Sequence, residues 1–169
     1  RSIGLELELE VACVEAAVRL FDPAAPGKLY VNACALTIRH LAGDGCVWLL
    51  SLLGERGLSP ARLVLELTEH ERVTDVDALR VSLSRLAALG IAIALDDFGD
   101  GRSSLRLWSE LAPARVKLDR YFANRIHTDS RRVEAVRAAV QLARAFGAEL
   151  VAEGIEDEAE LAVLRDLGV

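Results

Sequence analysis

Apolar residues fall at helical spacing from Leu7 to Phe21, and Asp22-Pro23-Ala24-Ala25-Pro26-Gly27 ends that run with two prolines and a glycine. Leu29-Tyr30-Val31 follows as a short strand. Ala35 to Leu41 and Cys46 to Leu53 read as helix, interrupted at Gly43-Asp44-Gly45, before Leu63-Val64-Leu65 forms a second strand. Asp75 to Leu89 is an amphipathic helix stopped by Gly90. Ile91-Ala92-Ile93-Ala94-Leu95 is a continuous apolar run, the pattern of a parallel strand covered on both faces. Ser103 to Leu111 then reads as a short helix, Arg115 to Asp119 as a strand, Arg131 to Phe146 as a long helix closed by Gly147, Glu149 to Ala152 as a strand, and Asp157 to Leu167 as a helix.

Strand and helix therefore alternate five times, with neither a dinucleotide-binding glycine fingerprint nor a P-loop. This predicts an α/β fold, a TIM-like barrel of alternating strands and helices. Five strands do not close an eight-stranded barrel. Residues 1–169 are accordingly expected to form one domain that covers most of the barrel and lacks its N-terminal strand region and C-terminal end. The chain has no methionine and opens inside a helical pattern, so a longer polypeptide is the expectation.

Composition narrows the class. At 169 residues and 52% apolar content the chain can bury a real core. No apolar run reaches the roughly 18 to 20 residues that span a bilayer, and the start lacks signal-peptide architecture, so a cytoplasmic domain without membrane contact is expected. A net charge of −6 disfavours a nucleic acid polymer as partner, because phosphate-backbone affinity needs a basic surface. A small anionic ligand would need a bridging cation. The cysteines, Cys13, Cys34 and Cys46, are odd in number and lack metal-finger spacing, which predicts reduced thiols, with Cys13 and Cys46 as core filler.

The chemistry sits at the strand ends. Asn32, Glu66, Asp96 with Asp97, Lys117 with Asp119, and Glu153 each close a strand, and a barrel opens all of these ends onto one face. Plainer readings exist for some of them. Thr68 or Glu69 would serve as a cap for the next helix, Asp96-Asp97 as an acidic turn before Ser103, and Lys117 as a salt-bridge partner. None explains Glu66, because a carboxylate at a buried strand end costs several kcal/mol unless it is paired or metal-bound. Hard oxygen donors without histidine or cysteine select magnesium or manganese over zinc. His40, His70 and His127 share no ligand spacing and are expected in surface or core roles. Lys117 and Asp119, two residues apart, are expected on one face, with the amine able to hold a water.

Taken in order, Val-Asn-Ala-Cys at 31–34, Glu-Leu-Thr-Glu at 66–69, Asp-Asp-Phe-Gly at 96–99, Val-Lys-Leu-Asp at 116–119 and Val-Ala-Glu-Gly-Ile-Glu at 151–156 resemble the EAL-domain family of cyclic di-GMP phosphodiesterases. The resemblance covers essentially the whole chain. It implies a hydrolase of bacterial second-messenger signalling that opens one phosphodiester of cyclic di-GMP to give linear pGpG with Mg2+ or Mn2+. By the same likeness Asn32, Glu66, Asp96 and Asp97 are metal ligands, and Glu153 is a metal ligand or a base near the attacking water. Lys117 and Asp119 position that water, Glu156 supports the site, and Glu69 braces the loop after Asp97.

The family's Glu-Ala-Leu segment is expected before Arg1 and its glutamine-glycine pair beyond Val169. Asp100 and Arg102 stand where the family usually has a small residue and an aromatic, and Cys34 stands where it usually has serine. The resemblance further implies fused sensor or GGDEF domains and a homodimer. The alternative is a catalytically inactive cyclic di-GMP-binding sensor, which would be expected to have lost metal ligands. Every ligand position within the chain is filled.

Overall fold

The computed structural model describes residues 2–67, 75–99 and 105–169, with the side chains of 2–4 left aside. Thr68, Glu69, His70, Asp100, Arg102 and Ser103 lie outside the described residues. The chain divides into two compact units, Arg1–Ile93 and Ala94–Val169.

The first unit holds α1 (Ser2–Leu20), β1 (Leu29–Ala33), α2 (Ala35–Ala42), α3 (Cys46–Glu55), a 3-10 turn (Pro60–Arg62), β2 (Leu63–Leu67) and α4 (Val76–Ala88). β1 and β2 pair in parallel, in register from Leu29 opposite Leu63 to Ala33 opposite Leu67. Every residue of β2 is buried, which explains its unbroken apolar pattern ahead of Glu66. The proline-glycine break is fastened by Arg62: its guanidinium donates to the carbonyls of Gly27 (2.9 Å), Pro23 and Ala25 and lies 5.0 Å from the Phe21 ring centroid. The exit of β1 is fastened too. The Cys34 N–H, which begins α2 without a side-chain cap of its own, donates to Glu10 Oε2 at 2.8 Å. Asp75 caps α4 by accepting from the Ala78 N–H at 2.9 Å. The thiols depart from expectation as core filler: Cys13 is exposed, off the α1 face that buries Val14 and Val18, and Cys46 is half-buried as the first residue of α3.

The second unit takes up β3 (Ala92–Phe98) and continues through α5 (Leu105–Leu111), β4 (Arg115–Leu118), α6 (Arg120–Ala123), a 3-10 turn (Ile126–Thr128), α7 (Ser130–Phe146), β5 (Glu149–Ala152) and α8 (Glu158–Leu167). β4 pairs in parallel with both β3 and β5. Trp108, fully buried, meets Phe98 and Phe146 edge-on at centroid distances of 4.8 and 5.8 Å. Asp129 and Asp157 cap α7 and α8, and Asp157 with Glu160 forms a reciprocal capping box. Among the described residues no helix is long and apolar enough to cross a membrane.

Candidate active site

In the first unit, Asn32 and Glu66 are register partners at the carboxyl ends of β1 and β2. Parallel pairing sets their side chains side by side on one face. Glu66 is buried at 8% exposure, while Asn32 is exposed, so the pair offers two oxygen donors at a strand end.

In the second unit the acidic strand end has an irregular backbone. β3 does not stop at Leu95, as its apolar run predicts, but continues through both aspartates to Phe98. Leu95 pairs with Val116 and Phe98 with Leu118, so β3 carries one extra residue, a β-bulge at Asp96-Asp97. Regular strand geometry would send adjacent side chains to opposite faces. Here Asp97 takes a left-handed conformation (φ 52°) and its N–H donates to Asp96 Oδ1 at 3.0 Å. The turn is completed by Gly99 at φ 105°, where a Cβ would stand 2.2 Å from the Phe122 ring; only glycine fits.

With the bulge in place, carboxylate oxygens of Asp96, Asp97 and Glu153 lie within 4.8 Å of one another. That spacing and the all-oxygen donor set are of the kind that could hold a small divalent cation. Lys117, buried in the middle of β4, sets its ammonium 2.9 Å from Asp96 Oδ1 and 2.5 Å from Glu153 Oε1. In formal charges, three carboxylates and one ammonium leave two net negative charges, which one divalent cation balances.

Asp119 and Glu156, also expected in the site, follow Lys117 and Glu153 by two and three residues. Asp119 lies just beyond β4 and caps α6, accepting from the Tyr121 N–H at 2.8 Å, while its own N–H donates to the Phe98 carbonyl at 3.2 Å. It therefore differs from the strand position expected beside Lys117, because its carboxylate satisfies a helix N-terminus. Glu156 and Asp119 line one groove of about 530 Å³ with Arg120, Tyr121, Asn124 and Gly154. Gly154, at φ 66°, packs so closely that a Cβ would stand 2.7 Å from Arg120 Cβ.

Glu160 was not singled out by the sequence, although Asp157-x-x-Glu160 is a capping-box spacing. It is 1% exposed and accepts backbone hydrogen bonds from Arg125 (2.6 Å), Glu156 (2.8 Å) and Asp157 (3.4 Å). The Glu156 and Arg125 N–H groups hold its carboxyl below the usual carboxylate range.

The EAL domain model matches residues 1–169. MucR of Pseudomonas aeruginosa, a bifunctional diguanylate cyclase/cyclic di-GMP phosphodiesterase, is 37% identical over 163 residues, which is 96% of this chain and 24% of MucR. The chain thus spans about a quarter of that relative. The solved PaMucR phosphodiesterase–c-di-GMP complex is 36% identical, with a TM-score of 0.80 over 99% of this chain and 74% of its own. The Klebsiella pneumoniae BlrP1 complex with manganese and cyclic di-GMP is 29% identical, with a TM-score of 0.76 over 98% of this chain and 41% of its own. These likenesses bear out the α/β, TIM-like barrel class expected from strand and helix alternation. Matched from first residue to last, the chain belongs to the EAL domain family.

Proposed function

We propose that this chain is a metal-dependent phosphodiesterase that hydrolyses one ester of cyclic di-GMP to linear pGpG in the bacterial cytoplasm. The observation that carries the reading is the Asp96, Asp97 and Glu153 oxygen cluster braced by Lys117. Likeness to MucR and to the manganese and cyclic di-GMP complex of BlrP1 supports the substrate and the metal. Asp96, Asp97 and Glu153 are the proposed ligands in the second unit, and Asn32 and Glu66 are further proposed oxygen donors. Bound Mg2+ or Mn2+ supplies charge to offset the phosphate and to activate water.

The chain's own groups do the positioning. Glu153, half-exposed and held by Lys117, accepts the proton that the attacking water loses as its oxygen bonds to phosphorus and the ester oxygen leaves. The ammonium of Lys117 keeps Glu153 and Asp96 oriented and faces the charge that develops on the phosphoryl oxygens. Asp119, which lines the groove together with Glu156, is the second water-positioning carboxylate. Glu69 is proposed to brace the loop after Asp97. Fused GGDEF or sensor domains and a homodimer belong to this proposal, the former on the likeness to the bifunctional MucR.

The test is turnover of cyclic di-GMP by the whole protein with and without Mg2+ or Mn2+, with nucleotide products separated by chromatography. Metal-dependent pGpG supports the hydrolase. Tight binding with no product at any metal concentration would establish the sensor instead.

A further inference from the structure

We propose that Glu160 is a positioning residue of this site: it ties the loop after β5, which carries Glu153 and Glu156, to the stretch from Asp119 through α6 to Arg125. The inference rests on the hydrolase reading above and extends it to a residue that touches no reacting atom.

The hydrogen-bond distances separate this role from ordinary helix capping. A capping box requires only that Glu160 accept from the N-cap N–H, and that bond, from Asp157, is the longest of its three at 3.4 Å. The two short bonds go outside the helix, to Glu156 N–H at 2.8 Å and Arg125 N–H at 2.6 Å. Arg125 is itself left-handed (φ 53°), a conformation that a non-glycine residue keeps only where its surroundings hold it. One buried carboxylate thus links the Glu156 amide to that of Arg125, which lies 35 residues from Glu160.

The same two segments form both walls of the groove beside the oxygen cluster: Asp119, Arg120, Tyr121 and Asn124 on one side, Gly154 and Glu156 on the other. Only Gly154 and Ile155 separate Glu153 from the anchored Glu156 N–H. Displacement of the anchor therefore propagates to Glu153 through a short loop that Gly154 already seats against Arg120. A metal role for Glu160 fits less well. His127, Asp157 and Glu160 do bring ligand atoms within 4.8 Å, but the Glu160 oxygens face backbone N–H groups at the positive N-terminus of α8, which disfavours a cation.

The test compares the whole protein with its Glu160→Ala and Glu160→Gln variants in three measurements: hydrogen exchange at the Arg125 and Glu156 amides, Mn2+ titration without nucleotide, and steady-state turnover of cyclic di-GMP. The expected result for Glu160→Ala is faster exchange at both amides and Mn2+ affinity weakened about 10-fold. Its kcat should fall about 10- to 100-fold with KM changed less than about 3-fold, the scale on which a small misplacement of catalytic groups acts. Glu160→Gln, which keeps one acceptor oxygen, should fall between parent and Ala, and it carries the test if Ala does not fold. Faster amide exchange with parental Mn2+ affinity and parental kcat would overturn the proposal. A parent that binds Mn2+ but turns over no nucleotide would sink the hydrolase reading alone, and the Mn2+ titration would then decide the anchor.

Discussion

Lys117 sets its ammonium 2.5 Å from Glu153, so a buried cation on β4 braces a half-exposed carboxylate just beyond β5, while the same ammonium lies 2.9 Å from Asp96 at the bulge of β3. Three neighbouring segments are tied at one atom. Breaking such a buried pair leaves unbalanced charge, which costs more than an exposed bridge would. Lys117→Ala should lower kcat about 100-fold or more, with the cyclic di-GMP binding constant changed less than about 5-fold, because the amine acts on the water and on developing charge. Parallel turnover and equilibrium-binding measurements distinguish this from a phosphate anchor, which would weaken binding and leave kcat intact.

The bulge gives a second prediction, with stability and activity moving apart. Asp97 holds φ at 52°, where glycine is unstrained, asparagine is tolerated and alanine is penalised by about 1 kcal/mol. Asp97→Gly should melt at or above the parent temperature, Asp97→Asn near it, and Asp97→Ala below it. All three should lose most turnover, since each removes a proposed ligand. Retention of parental turnover by any of them would show that the Asp97 carboxylate is not needed.

Glu66, Asp96 and Lys117 were legible because a charged side chain in a buried strand is anomalous. Asn32 and Glu66 stand one residue before the ends of β1 and β2, Glu153 just past β5, and Asp96 at the bulge within β3. The bulge was not legible. It depends on backbone register, and the apolar run of β3 ends at Leu95 although pairing continues to Phe98. Asp119 reads as strand by alternation, yet it caps α6, a helix of only four residues that is too short to show a period. Glu160 reads as one more acidic position on an amphipathic helix. Its inward role follows from the two amides it reaches, one of them 35 residues away.

Gly154 offers a steric test of the loop. Its φ of 66° and a Cβ contact of 2.7 Å to Arg120 Cβ, an atom next to the backbone, mean that Gly154→Ala must shift either the loop or α6. The expected cost is about 1–3 kcal/mol of stability with a fall in kcat. Removing the obstruction with Arg120→Gly in the Gly154→Ala background should recover part of the activity. No recovery would assign the whole defect to backbone strain.

The metal makes the fourth prediction. An all-oxygen cluster around two net negative charges should lose turnover in chelator and regain it with Mg2+ or Mn2+. Calcium should occupy the site and support binding with little turnover, because its longer bonds and looser coordination misplace the water. Calcium-driven turnover equal to that with manganese would contradict the strict geometry proposed.

Glu160 also sets an acid limb to stability. Its carboxyl is held below the ordinary value of 4.5, first by the Glu156 N–H and then by the Arg125 N–H, so the folded chain stays deprotonated where the unfolded chain takes up a proton. The contribution is therefore fully present above about pH 4.5 and is lost as pH falls toward the lowered folded value. Glu160→Gln removes this linkage. Its deficit against the parent should be largest near pH 7, shrink between about pH 4.5 and pH 3, and be smallest at the acid end. Denaturant unfolding of both proteins at pH 7, 5, 4 and 3 measures that difference directly. A deficit that stayed constant across all four values would mean that Glu160 contributes through its shape and neutral hydrogen bonding rather than through its charge.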